Sequence, residues 1–95
     1  MPTQINQIDH AEIRTTMLRV EGEMFCEDAA LLERIAREIR FDSGYKIIID
    51  LADLDFLDSD AAPILRRLAE LDGFAIEGIE TFLQTAVDNV ERHNA

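Results

Sequence analysis

Hydrophobic residues change their spacing several times along the chain, and each change marks a predicted element. Over residues 15–20 (TTMLRV) they alternate, with Leu18 and Val20 on one face and Met17 and Arg19 on the other. That pattern predicts a β-strand. A weaker strand around residues 4–8 would form a hairpin with it, and Gly22 in EGEM is expected to end the second strand. From residue 27 to residue 40 the period becomes helical. Leu31, Leu32, Ile35 and Ile39 share a stripe, with Ala36 beside them. Glu27 and Asp28 suit the positive end of such a helix, and Arg37 and Arg40 the negative end. FDSG then breaks it, with Gly44 supplying the permissive backbone.

Residues 46–51 (KIIIDL) carry three consecutive isoleucines. A β-branched run that is apolar on both faces predicts an interior strand covered by helices. A second helix is expected over residues 61–71, burying Ile64, Leu65, Leu68 and Leu71, and Gly73 is expected to close it. FAIE (74–77) reads as a short strand. The last helix, over 79–92, carries the cleanest stripe of the chain: Ile79, Phe82, Leu83, Ala86, Val87 and Val90. The predicted order is β-β-α-β-α-β-α. Strands alternating with helices require crossover connections, so the expected class is α/β, a mixed β-sheet with helices packed on it. With no linker, repeat or low-complexity tract, residues 1–95 read as a single domain.

Composition narrows the function classes. The 95 residues are 47% hydrophobic, with no Trp, five Phe and one Tyr, so the core must be mainly aliphatic. Twenty acids against nine bases give a net charge of −11. This charge repels a phosphate backbone and an anionic membrane surface, and steers in a partner with a basic face. Neither nucleic-acid binding nor membrane insertion is expected. Cys26 is the only cysteine, so no intramolecular disulfide is expected, and it reads as a small apolar residue at a turn. No signal-like stretch opens the chain and no run reaches membrane-spanning length, which predicts a cytoplasmic protein.

Candidate chemistry concentrates between the isoleucine strand and the second helix. Asp50, Asp53, Asp55, Asp58 and Asp60 cluster there. A calcium loop starting at Asp58 fails at its third ligand and at its glycine, so a solvated acidic loop is expected and no metal. His10 and His93 lie near the termini, where an ordered triad is hard to build. No phosphate-cradling loop is present. No enzyme and no cofactor are expected. Ser59, between Asp58 and Asp60, is a helix-cap candidate on spacing alone. Pro63 favours Asp60 as the cap: the proline is then the third helical residue, where a missing N–H costs no intrahelical bond. Ser59 would sit just outside, with its hydroxyl toward solvent.

The run IIIDLADLDFLDSDAAPIL resembles the hallmark of the STAS domain, shared by sulfate transporters and anti-sigma factor antagonists. The pattern is an apolar strand (Ile47–Ile49), an Asp (Asp50), a loop ending in apolar residues (Leu54–Leu57), then Asp58-Ser59 and a helix. LRVEGEM (Leu18–Met24) resembles the family's first long strand and its turn. In anti-sigma factor antagonists the serine after that Asp is phosphorylated by a partner serine kinase that is also the anti-sigma factor. The resemblance therefore implies that Ser59 is a phosphoacceptor, that the unmodified protein binds the kinase and frees the sigma factor, and that phosphate ends the binding. The expected docking surface is Asp58, Ser59, Asp60 and the exposed side of the second helix, with Arg66, Arg67 and Glu70. Where the family often has Asp-Ser-Ser-Gly-apolar-Gly, this chain has Asp58-Ser59-Asp60-Ala61-Ala62-Pro63. Short STAS proteins also serve as subunits of ABC-type lipid-transport complexes and of stress-signalling assemblies, which gives an alternative role without phospho-switching. Oligomeric state is not specified by the sequence.

Overall fold

The computed structural model describes residues 3–78. The last helix expected from the sequence, over 79–92, lies outside the described residues. β1 (Gln4–His10) and β2 (Thr15–Met24) form the expected antiparallel hairpin, joined by a single 3-10 turn (Ala11–Ile13). β3 (Lys46–Asp50) runs parallel to the first half of β2, and β5 (Phe74–Glu77) runs parallel to β3. The isoleucine strand is thus interior, with a neighbour on each side. Ile47 and Ile49 are fully buried, while Ile48 on the opposite face is half-buried. The alternation in β2 resolves the same way: Leu18 and Val20 are buried, Met17 and Arg19 half-buried.

Two sequence expectations about strands are corrected. β2 does not end at Gly22. It continues to Met24 because a new partner, β4 (Leu54–Leu57), pairs with its second half, from Gly22 onward, through a register shift between Gly22 and Glu23. The shift leaves Asp55 of β4 as the extra residue, between Leu54 opposite Gly22 and Phe56 opposite Glu23, and the ladder continues beyond it. The segment 54–57, expected as loop, is this additional strand. Its acidic sequence hid it, because Asp55 and Phe56 are both exposed and only Leu54 is fully buried.

Helix α1 (Cys26–Ser43) is longer than the expected 27–40 at both ends. It ends where Gly44 adopts the left-handed conformation (φ 73°) and donates its N–H to the Arg40 carbonyl. Phe41, Asp42 and Ser43 are therefore helical and do not break the helix. Ala29, Leu32 and Ala36 are its buried residues, with Ile35 and Ile39 packed beside them. Leu31, assigned to the stripe from spacing, is 45% exposed: the buried line follows Ala29, Leu32 and Ala36, and Leu31 lies off it. Cys26 is also exposed, at the first helical position and not in a turn.

Helix α2 (Ala62–Ala69) is shorter than the expected 61–71. Leu65 and Leu68 enter the core, and Ile64 and Leu71 pack against it. Gly73 does not close the helix. It lies in the turn that leads into β5, and its carbonyl accepts from Ile47 N–H at 2.8 Å. The two helices are stapled by an ion pair: Arg67 on α2 donates two near-parallel hydrogen bonds to Glu33 on α1, at 2.9 and 3.1 Å.

Candidate functional site

β2 and β4 are parallel, so their C-terminal ends, Met24 and Leu57, lie side by side. In α/β sheets this is the end at which loops collect functional groups. The chain leaves β4 and turns at once: Asp58 N–H donates to the Met24 carbonyl at 2.8 Å, and Ala61 N–H donates to the Asp58 carbonyl at 2.9 Å. Asp58 to Ala61 is therefore a hydrogen-bonded turn with Ser59 and Asp60 at its tip. Both tip residues are exposed, and Asp58 is half-buried. Among the described residues the Ser59 hydroxyl has no hydrogen-bond partner.

Asp60 does not cap α2. The residue at the cap position is Ala61, in right-handed helical conformation (φ −79°, ψ −30°), and no side chain caps it. The Ala61 carbonyl accepts from both Ile64 and Leu65 N–H groups. The turn has already bent the chain into the helix, so an extended residue carrying a capping side chain is not needed. Pro63 is then the second helical residue, where its missing N–H still costs nothing. Among the described residues, neither the Ser59 nor the Asp60 side chain is hydrogen-bonded to the helix.

Asp50, the acid after the isoleucines, sets the preceding loop. Its Oδ1 accepts from Ala52 N–H at 2.9 Å, and Arg19 approaches its Oδ2 at 3.6 Å and Asp53 at 4.0 Å. Leu54 N–H then reaches the Leu51 carbonyl at 3.1 Å, and the chain enters β4. Asp50 thus fixes the path into the strand that presents Ser59.

The two arginines of the expected docking surface have different surroundings. Arg66 is exposed and borders an apolar hollow formed by Leu51, Leu57, Ala62, Leu65 and Ile76. Arg67 is committed to Glu33. Its hydrogen bonds and charge hold the Glu33 carboxyl below its ordinary range, against an opposing effect of partial burial. Arg37 adds a further contact to Glu33 at 3.6 Å.

Two aromatic residues that the hydrophobic pattern does not pair meet at this end of the sheet. Phe25, at the start of α1, and Phe56, on β4, bring their rings together beside the Ser59 turn, with centroids 5.4 Å apart and planes tilted by 46°. Recognising residues 54–57 as a strand parallel to the end of β2 would have placed them together. Among the described residues no group of three or more His, Cys, Asp or Glu side chains is placed to hold a metal ion, and no helix is long and apolar enough to cross a membrane.

Comparisons with known proteins identify the family and the fold. A family model described as the STAS domain matches residues 3–93. Among curated proteins no sequence match is found. An antisigma-factor antagonist STAS domain from Rhodobacter sphaeroides shares the fold at TM-score 0.62 and 17% identity, over 87% of this chain and 94% of the other. An anti-sigma factor antagonist from Mycobacterium paratuberculosis does so at TM-score 0.60 and 23% identity, over 94% and 82%. The anti-sigma factor antagonist SpoIIAA, solved in its unphosphorylated form, is similar at TM-score 0.57 and 17% identity over 99% of each chain.

Proposed function

The chain belongs to the STAS domain family, and on that premise we propose that it is a bacterial regulatory module of the anti-sigma factor antagonist type, switched by phosphorylation of Ser59. Residues 1–95 act as one cytoplasmic domain without catalytic activity of their own. The partner is a serine kinase that is also the anti-sigma factor. The observation that carries this reading is the state of Ser59: an exposed hydroxyl, free of hydrogen bonds among the described residues, at the tip of a turn fastened to the end of β2.

The chemistry of the switch is local. Phosphorylation would replace a neutral hydroxyl with about −1.5 to −2 charges between Asp58 and Asp60. A helix N-terminus can shelter such a charge through its free N–H groups. Here Ala61 N–H is already engaged by the Asp58 carbonyl, and Pro63 has none. Compensation from the helix start is therefore only partial, and the added charge is expressed at the surface that meets the partner. Binding formed around the unmodified serine is opposed by that charge and bulk.

In this reading Asp58, Ser59 and Asp60 contact the partner, with Arg66 beside them. Arg67 takes part by exchanging Glu33 for an acid of the partner, or holds α2 in place through Glu33. The test uses purified serine kinases of the anti-sigma class from the same genome. Complex formation with ADP, followed by release on adding ATP, is the expected result for wild type, with Ser59→Ala remaining bound. A complex indifferent to ATP, with Ser59 unmodified, would favour the role of a STAS subunit in a lipid-transport or stress-signalling assembly.

A further inference from the structure

We infer that the Phe25–Phe56 ring pair is the apolar anchor of the partner interface, and that it takes a protein surface with an apolar slot flanked by Lys and Arg. The inference deepens the antagonist reading above and rests on it.

Phe25 is 46% exposed and Phe56 45% exposed, although both are large apolar side chains. They come from segments far apart in sequence yet touch at 5.4 Å. Each ring restricts the other, so the pair is already ordered before a partner arrives and loses little freedom on binding. The backbone beneath it is also fixed. Phe25 N–H donates to Asp28 Oδ2 at 3.0 Å, and the Asp58–Met24 hydrogen bond joins the two segments immediately beside the rings. The same bond ties the pair to the Ser59 turn: Phe25 follows Met24, and Asp58 precedes Ser59.

The charge around the pair selects the occupant. Residues 25–28 and 55–60 contain Glu27, Asp28, Asp55, Asp58 and Asp60, and no Lys or Arg. An aromatic centre within a charged rim is the arrangement of interface hot spots, where buried rings carry most of the affinity and rim charges set the approach. A basic rim on the partner complements these five acids. A second copy of this chain would bring five more acids against them, so self-association through the pair is disfavoured.

Phe41 provides an internal control. It is 88% exposed on the last turn of α1, at the other end of the helix from Phe25.

The test measures affinity for the serine kinase of the anti-sigma class, with ADP, for wild type, Phe25→Ala/Phe56→Ala and Phe41→Ala. The double variant should bind on the order of 30-fold more weakly or worse. Phe41→Ala should stay within about threefold of wild type. In the wild-type complex, amide hydrogen exchange should slow at 25–28 and 55–57, a readout that stands even if the double variant fails to fold. Wild-type binding that the double variant matches, an equal loss in Phe41→Ala, or no protection at those amides would overturn the anchor and leave the phospho-switch standing. A wild-type dimer that the double variant dissolves would also overturn it, by assigning the rings to self-association. If wild type neither binds nor accepts phosphate from any such kinase, the antagonist reading fails and the anchor falls with it.

Discussion

At the C-terminal end of α1 the side chains close on one another; at its N-terminal end they are left open. Arg40 donates to the carbonyls of Gly44 and Tyr45 at 2.7 and 3.0 Å. Ser43 Oγ donates to the Ile39 carbonyl and accepts from Tyr45 N–H. Gly44 N–H closes on the Arg40 carbonyl, and the carbonyls just past the helix end, those of Gly44 and Tyr45, find their donor in the Arg40 side chain. Near the N-terminal end, two rings face solvent, a serine hydroxyl has no partner among the described residues, and the neighbouring helix starts without a side-chain cap. Under the proposed function, stability and recognition fall at opposite ends of one helix. In the proposed switch, the hydroxyl that a kinase would have to reach is not spent on capping.

The sharpest way to break this contrast acts on the closed end. Gly73 has φ 86°, and a Cβ there would lie 2.5 Å from the Arg40 guanidinium. Gly73→Val should therefore combine left-handed strain with displacement of Arg40, and cost about 2 kcal/mol or more. Chemical denaturation checks this, and an unchanged midpoint would show that the closed end is looser than described. Arg40→Met removes the two carbonyl contacts alone and should cost about 1–2 kcal/mol. Gly44→Ala should cost about 1 kcal/mol, since its Cβ meets nothing within 4 Å and only the backbone is strained.

A smaller effect is expected from the interhelical staple. The Glu33 carboxyl titrates below its ordinary value of 4.5 in the folded protein. Its contribution is therefore complete above about pH 4.5 and is lost as pH falls through the lowered folded value. Glu33→Gln should remove that part of the acid sensitivity, with a stability cost under about 1 kcal/mol at neutral pH. Parallel acid-unfolding curves for wild type and Glu33→Gln measure it. A steeper acid loss in the variant would contradict the assignment.

The smallest effects belong to the open end. Asp60→Ala and Ser59→Ala should each leave stability within about 0.5 kcal/mol of wild type, because neither side chain caps α2. A loss near 1 kcal/mol or more in thermal melts of either variant would restore a capping role.

The same division governs what could be read from the sequence. The hairpin, the interior isoleucine strand, β5 and the cores of α1 and α2 were legible because each carries an alternating, continuous or helically spaced set of apolar residues. β4 was not legible. Its sequence LDFL buries one side completely only at Leu54, and it exists because β2 continues past Gly22 to receive it. Leu31 misled for the complementary reason: spacing places it on the stripe, but the helix rolls so that small residues, Ala29 and Ala36, face the sheet. The start of α2 depended on turn geometry: the position of Pro63 favoured Asp60 as the cap, whereas the turn places Ala61 there. The Asp-Ser pair was legible only by resemblance, since nothing in its spacing separates an exposed turn serine from a cap. The aromatic pair required the parallel pairing of β2 with β4, a long-range fact.

The central claim is that Ser59 is the group modified by the partner kinase. Intact-mass and peptide-level mass spectrometry after incubation with that kinase and ATP tests it directly, on wild type, Ser59→Ala and Asp60→Ala. The expected result is one phosphate on wild type, located at Ser59, one on Asp60→Ala, and none on Ser59→Ala. Phosphate retained by Ser59→Ala, or a wild-type protein that takes up none from a kinase it binds, would contradict the account.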